Sequence, residues 1–279
     1  MADHIHVVTD STAYINSGSL SANPNVHVVP LTVNCGGTIM EDWVSNNVLF
    51  KEALDKLGRK GDFPTTSQPA PGKFVEVFSP LVEKGCEIIV ITISSRLSGT
   101  FESASTAAAM VGPDKISVID SLSTAGTQKM LVEDAVKAAA DGRNRQEITT
   151  MLEAEKQNKA ILLIPASLEY LRRGGRIGGA SALVGTLLNI KPVLCVKDGV
   201  VDAMDKVRTQ KRAYMRMVEE VPADSPRVMV AHFEAETEAK TLESLLKEKV
   251  TCDVEIVELG PVIATHVGPG VLGLLFERT

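Results

Sequence analysis

The first half of the chain alternates short apolar runs with stretches of helical spacing. Apolar runs that predict strands cover residues 4–11, 25–33, 86–94 and 115–120. The run at 86–94 is almost uninterrupted, which is typical of a central parallel strand covered on both faces. Segments with helical spacing lie between these runs, at 45–57, from Pro71, from Ser98 and through 127–142. The alternation predicts an α/β fold whose first layer is a doubly wound, mostly parallel sheet.

A second α/β pattern begins near residue 145. A helical segment leads into the strand 160–165, and residues 191–201 read as a hairpin that turns at Asp198–Gly199. A further strand, a helix at 237–249 and another strand follow. We therefore expect two domains, an N-terminal α/β domain at 1–150 and a C-terminal α/β domain at 151–279.

Polar, short side chains follow three of the predicted strands. They are Asp10–Ser11–Thr12, Ser94–Ser95 and Asp120–Ser121. Ligands of open α/β sheets bind beyond the carboxyl ends of the strands. The pattern therefore predicts that one rim of the first sheet is lined with hydroxyl and carboxyl groups.

The amino-acid composition argues against some classes of function and favours others. Hydrophobic residues make up 44% of the chain but aromatic residues only 4%, so the core must be largely aliphatic. The net charge is −6, and the 29 basic residues form no long run. A nucleic-acid groove needs a basic stripe and usually stacking aromatic rings, so composition argues against one and favours a protein that handles a small molecule.

The cysteines and the chain start give no sign of export, metal binding or membrane insertion. Four scattered cysteines show neither C-x-x-C nor Cys/His ligand spacing, as expected of reduced thiols. The N-terminal sequence lacks the basic and apolar regions of a signal peptide. The longest apolar stretches fall short of the ~20 residues that cross a bilayer. We expect a cytoplasmic protein without a metal or stable membrane insertion.

The junction after the strand 86–94 is unusually rich in hydroxyl groups. It carries Ser94, Ser95, Ser98, Gly99 and Thr100. A helix that began at Ser98 would leave its first N–H groups free to bind an anion, and Gly99 would allow a close approach. In the alternative interpretation, Ser98 is an N-cap and the other serines only fill space. The sequence by itself leaves both open.

Two other segments offer neutral polar groups. The loop 61–72 carries Thr65, Thr66 and Ser67, which are either further donors or caps of a turn. His266 precedes a Gly-Pro-Gly turn, where it is either structural or part of a site. A neutral imidazole can orient a hydroxyl, and a protonated one can pair with a carboxylate or phosphate.

A glycine-rich segment at 171–179 carries Arg172, Arg173 and Arg176. Arginines on such a turn suit recognition of phosphate or carboxylate, although a solvated loop explains them equally well. The chain contains no phosphate-binding G-x-x-x-x-G-K-[ST] loop, no G-x-G-x-x-G after a strand and no G-x-S-x-G nucleophile turn. No cluster of carboxylates suited to a metal is evident either.

Six segments in their order along the chain resemble the DegV family of bacterial fatty-acid-binding proteins. They are "VTDSTA", "TSQPAPG", "ISSRLSGT", "LRRGGRIGG", "KVRTQKRA" and "THVGPG", and the match spans nearly the whole chain. The resemblance implies two α/β domains with a long-chain fatty acid buried between them. Some members are the fatty-acid-binding subunit of the bacterial fatty acid kinase, in which a separate ATP-dependent subunit converts the presented carboxylate to an acyl phosphate.

Carried onto this sequence, the resemblance places the fatty-acid carboxylate against Thr66, Ser98 and the backbone N–H of Gly99, with His266 nearby. Neutral donors of this kind meet the cost of burying a carboxylate without a salt bridge.

The resemblance also suggests supporting positions. Thr65, Ser94 and Ser95 would lie behind the direct contacts, and Arg173 and Arg208 would contact a phosphoryl group or the partner. It implies no catalytic residue in this chain and no cofactor besides the bound fatty acid.

Two other functions stay open. The protein could carry or sense a lipid or another small acidic molecule without any kinase partner. It could instead be a Ser/His hydrolase that uses Ser98 or Ser95 with His266, but that chemistry needs an orienting acid and an oxyanion hole, and no residue is identified as the acid.

Overall fold

In the computed structural model, residues 4–15, 18, 22–58, 62–185 and 190–279 are described. The chain divides into two compact units, Met1–Gln157 and Asn158–Thr279. The predicted division after residue 150 falls inside the helix Arg145–Glu155, which belongs to the first unit.

The first unit contains seven strands and five α-helices within the described ranges. The strands are β1 (Ile5–Asp10), β2 (Val26–Val29), β3 (Thr32–Cys35), β4 (Thr38–Glu41), β5 (Thr65–Ser67), β6 (Glu87–Thr92) and β7 (Ile116–Asp120). The helices are α1 (Asn47–Gly58), α2 (Pro71–Glu83), α3 (Thr100–Val111), α4 (Ala125–Ala140) and α5 (Arg145–Glu155).

Four of these strands form the predicted parallel sheet, in the order β2-β1-β6-β7. Its central strand β6 is buried on both faces, as the apolar run predicts. Ile88 and Val90 pack with residues of α2 and α3, whereas Ile89 and Ile91 pack with residues of α4 and α5. Helices therefore cover both faces, and the doubly wound α/β prediction is confirmed.

Residues 25–33 form two strands, not the single predicted one. Pro30 has no N–H to donate to a ladder, and the chain leaves the parallel sheet after β2. Strand β3 then pairs with β4 and β5 in a small antiparallel sheet. The loop predicted at 61–72 thus contains β5, a strand too short for its alternation to be read from sequence.

The second unit contains six strands and four α-helices within the described ranges. The strands are β8 (Lys159–Ile164), β9 (Lys191–Lys197), β10 (Val200–Val207), β11 (Val228–Phe233), β12 (Val254–Glu258) and β13 (Val271–Glu277). The helices are α6 (Glu169–Arg173), α7 (Gln210–Glu220), α8 (Glu236–Lys247) and α9 (Pro261–Val267).

The six strands form one mixed sheet in the order β10-β9-β8-β13-β11-β12. The predicted hairpin joins β9 to β10, and Asp198 and Gly199 both have the positive φ angles that a tight hairpin turn requires. Strand β13 lies between β8 and β11, so the last strand along the chain is central in the sheet.

Within the described ranges, no helix is both long enough and apolar enough to span a bilayer.

A buried carboxylate joins three elements at one end of the parallel sheet. Asp10, at the end of β1, is fully buried, and its Oδ1 accepts hydrogen bonds from the backbone N–H of Thr12 (3.0 Å) and from the Thr12 hydroxyl. Its Oδ2 accepts from the N–H of Ile93 (2.7 Å), just after β6, and from Nε2 of Gln128 (3.1 Å) on α4. Burial raises the pKa of Asp10 because desolvation outweighs these four hydrogen bonds.

We expect Asp10→Ala to destabilise the first unit by about 3 kcal/mol, because it leaves the buried N–H of Ile93 without its acceptor and removes the link between β1, β6 and α4. Urea unfolding of the purified variant measures this loss. Asp55→Ala, at an exposed position on α1, is the control and should change the free energy of unfolding by less than about 0.5 kcal/mol. Equal effects of the two substitutions would contradict the role assigned to Asp10.

Candidate functional site

The loop after β6 is shaped by Ser94, which is fully buried. Its backbone N–H donates to the carbonyl of Ser123 (2.8 Å), and its own carbonyl accepts from the N–H groups of Leu97 (3.0 Å) and Ser98 (3.1 Å). Its hydroxyl oxygen accepts from the N–H of Arg96 (3.2 Å). Ser94 thus uses both its backbone and its side chain to fold residues 94–98 into a tight turn.

Helix α3 begins at Thr100, two residues later than predicted. The N–H of Ser98 is already used in the turn to Ser94, so the first intrahelical bond runs from the N–H of Ser103 to the carbonyl of Gly99 (3.0 Å). Gly99 is the N-cap, and no side chain caps the helix. The interpretation of Ser98 as the N-cap is therefore wrong.

The start of α3 presents several neutral donors. An α-helix has no intrahelical acceptor for its first N–H groups, here those of Thr100, Phe101 and Glu102, and its dipole is positive at this end. The hydroxyl oxygens of Ser98 and Thr100 lie 2.9 Å apart and share a hydrogen bond. This end of the helix can therefore hold an anionic oxygen without a positively charged side chain.

The strand β5 carries the hydroxyl groups of the "TTSQ" segment. Thr66 is half-buried and pairs with Val33 of β3, whereas Thr65 is exposed and pairs with Asn34. One residue past the strand, Gln68 donates from Nε2 to the carbonyl of Gly99 (3.2 Å) and to the hydroxyl of Ser103 (3.3 Å). The structure therefore brings the Thr66 and Ser98 segments together.

Gln68 is a contact that the sequence analysis did not identify. A Cβ on Gly99 would collide with this amide, so any larger residue at position 99 would displace the Gln68 side chain. The sequence signal is the "TSQP" segment itself, in which the glutamine amide is a donor as well as the hydroxyl groups.

Asp120, at the end of β7, ties its strand to the same loop. Its Oδ1 accepts from the N–H of Ser95 (3.1 Å) and from the N–H of Leu122 (3.0 Å). Ser95 itself is exposed. The predicted polar rim thus exists at the ends of β1, β6 and β7. However, the Asp10 side chain faces the interior, and the Asp120 side chain accepts hydrogen bonds from backbone N–H groups.

In the second unit, two arginines of α6 converge on one carboxylate. Glu169 accepts from Arg172 (Nε 3.0 Å, Nη2 2.8 Å) and from Nε of Arg173 (2.5 Å), and these contacts lower the pKa of Glu169 to about 2. Arg176 donates from Nη1 to the carbonyl of Gly174 (2.6 Å). Arg173 is therefore held in an ion pair at the surface, rather than in an unstructured loop.

His266 lies on α9 against the glycine-rich segment. A Cβ on Gly174 would lie 2.3 Å from its Nδ1, which explains why glycine is needed there. Burial, together with the charge of Arg176, lowers the pKa of His266 to about 4. The imidazole is therefore neutral near pH 7, the state in which it can orient a hydroxyl.

Arg208 is exposed immediately after β10. Within the described ranges, no three His, Cys, Asp or Glu side chains are grouped so that they could hold a metal ion.

Comparison with known proteins places these features in a family. The DegV family, described as uncharacterised proteins, matches residues 4–279. A DegV domain-containing protein of Clostridium perfringens is 36% identical over 283 residues, which covers 98% of this chain and 99% of that protein.

Two solved structures of DegV proteins are also similar to this chain. A DegV family protein from Thermus thermophilus that binds fatty acid shares 33% identity with a TM-score of 0.90, covering 99% of this chain and 100% of that one. DegV of Bacillus subtilis, a fatty acid binding protein, shares 30% identity with a TM-score of 0.83, covering 99% of each chain.

The lowered pKa of His266 predicts a pH dependence of stability. Between about pH 6.5 and about pH 4 the unfolded chain binds a proton at this position and the folded chain does not, so the free energy of unfolding falls as the pH is lowered through this range. The slope from this one group approaches ~1.4 kcal/mol per pH unit.

Urea unfolding at a series of pH values measures this slope. His266→Gln should flatten it, whereas His4→Gln, at an exposed position, should not. An unchanged slope in His266→Gln would show that the imidazole is not held neutral by its surroundings.

Proposed function

The chain belongs to the DegV family, and we propose that it binds a long-chain fatty acid in a buried tunnel and presents the carboxylate to a separate ATP-dependent fatty acid kinase subunit. The kinase then forms an acyl phosphate on that carboxylate. On this proposal the chain is a non-catalytic binding subunit that needs no cofactor and works in the cytoplasm.

The main support for this proposal is the set of neutral hydrogen-bond donors at the start of α3. A buried carboxylate is costly unless it is hydrogen-bonded, and two or three such bonds offset most of that cost. The Ser98 hydroxyl, the N–H of Gly99 and the nearby Thr66 hydroxyl are donors of this kind. We assign the carboxylate contacts to these three groups, with the neutral imidazole of His266 as a fourth.

Supporting residues hold these donors in place. Ser94 folds the turn that carries Ser98, and Asp120 anchors the N–H of Ser95. Thr65 continues the strand that carries Thr66. Gln68 joins the two segments through Gly99 and Ser103.

Neutral donors also suit the proposed chemistry. A bidentate arginine would hold both carboxylate oxygens in strong charge-assisted bonds and make them poorer nucleophiles toward a phosphoryl group. In this chain the arginines that we assign to phosphoryl or partner contact, Arg173 and Arg208, are exposed.

Two features support the binding role over the hydrolase alternative. A catalytic serine needs a base that accepts its proton near neutral pH. The Ser98 hydroxyl shares a hydrogen bond with the hydroxyl of Thr100, and His266, with a pKa of about 4, is a weak base. A carrier or sensor without a kinase partner stays the second candidate, because it would use the same carboxylate site.

We expect Ser98→Ala and Thr66→Val each to weaken fatty-acid binding about fivefold to tenfold, because each removes one hydrogen bond to a carboxylate, worth roughly 1–1.5 kcal/mol. Displacement of a fluorescent fatty acid from delipidated protein measures the affinity. Thr106→Ala removes an exposed hydroxyl from the same helix and should bind as the wild type does. Wild-type affinity in both site variants would refute the assigned contacts.

The kinase step has a separate test. With a DegV-associated kinase subunit and ATP, the wild type should yield acyl phosphate, detected as its hydroxamate. Arg173→Ala should keep its fatty-acid affinity but lower the yield at least tenfold, because Arg173 is assigned to the phosphoryl group or the partner. Arg143→Ala, which removes an exposed arginine of the first unit, is the control. Full yield from Arg173→Ala would contradict that role, and no acyl phosphate from the wild type would favour the carrier or sensor.

A further inference from the structure

A cavity in the second unit has no part in the carboxylate site described above. Its volume is about 370 Å³, within the range of small-molecule pockets. Its lining residues come from the end of β8, the start of β9 and the end of β10, and they are Pro165, Ala166, Ser167, Leu168, Ile190, Lys191, Pro192 and Arg208.

The strand register places two cationic residues side by side at this cavity. Lys191, the first residue of β9, pairs with Val207, the last residue of β10, and Arg208 follows directly. The two antiparallel strands therefore bring Lys191 and Arg208 to the same end of the hairpin, although they are far apart in sequence.

The positive charges of Lys191 and Arg208 are not balanced by acidic side chains at this cavity. No acidic residue is among its described lining residues, and neither Lys191 nor Arg208 has an acidic partner in the part of the chain that the structure describes. By contrast, Lys159 and Arg227 of the same unit both form ion pairs with Glu277. Two unpaired cations in a concave site attract an anion with two negative charges.

The remaining walls add apolar surface and one hydroxyl. Five lining residues are apolar: Pro165, Ala166, Leu168, Ile190 and Pro192. The oxygen of Ser167 accepts from the N–H of Glu169 (3.1 Å), which leaves its O–H free to donate into the cavity. The cavity thus combines a dianion-binding edge with room for a small apolar group.

We propose that this cavity binds a small organic phosphate monoester, whose phosphate contacts Lys191 and Arg208 and whose organic group lies against the apolar walls. A phosphate dianion matches two cations better than a carboxylate does, and arginine binds its oxygens in a bidentate manner. The inference shares Arg208 with the proposed function, in which that residue is assigned to phosphoryl or partner contact, but it goes beyond that function since it requires neither a bound fatty acid nor a kinase.

Isothermal titration of the full chain with phenyl phosphate, inorganic phosphate and benzoate tests the proposal. We expect phenyl phosphate to bind most tightly, inorganic phosphate more weakly for want of the apolar contacts, and benzoate weakest because it carries a single charge. The double variant Lys191→Gln/Arg208→Gln should lose at least tenfold in phenyl phosphate affinity.

A matched double variant, Lys197→Gln/Arg143→Gln, removes the same charge at exposed positions elsewhere and should bind as the wild type does. Equal losses of phenyl phosphate affinity in the two double variants would show non-specific attraction by positive charge and would overturn the site. Unchanged phenyl phosphate affinity in Lys191→Gln/Arg208→Gln would overturn it as well. Benzoate binding as tight as phenyl phosphate would overturn the assignment to phosphate. If the first double variant fails to fold, Arg208→Gln alone, at an exposed position, should still weaken phenyl phosphate binding at least threefold.

Discussion

The buried carboxylate of Asp10 is the constraint on which the candidate carboxylate site depends. Its Oδ2 holds the N–H of Ile93, the residue before Ser94, and Ser94 in turn folds the turn that carries Ser98. Asp10 also binds Gln128, so the same group fixes α4 against the sheet. A carboxylate that cannot reach solvent thereby sets where the neutral donors at the start of α3 lie.

The neighbouring Ser11 extends this constraint to the small sheet. Its hydroxyl donates to Asp42 (2.8 Å) and accepts from the N–H of Leu31 (3.1 Å), which leads into β3. Strand β3 pairs with β5, which carries Thr66. The two adjacent residues Asp10 and Ser11 thus anchor both segments that we assign to the fatty-acid carboxylate, which gives the polar "DST" motif a positioning role.

The sequence was sufficient for features that depend on local pattern and insufficient for those that depend on a distant partner. The parallel sheet and the Asp198–Gly199 hairpin follow from apolar runs and turn residues, and both are confirmed. The start of α3 was misplaced because the N–H of Ser98 closes a turn that helical spacing does not reveal. Gln68, the inward carboxylate of Asp10 and the ion pairs of Glu169 were missed, since each is defined by residues that only folding brings near.

We infer that the first unit supplies neutral donors for a fatty-acid carboxylate. Native mass spectrometry of the protein, purified without added lipid or detergent, tests it most directly. We expect the wild type to retain the mass of one long-chain fatty acid and the double variant Ser98→Ala/Thr66→Val to retain much less. A wild-type protein observed only at the mass of its polypeptide, both before and after incubation with fatty acid, would contradict it.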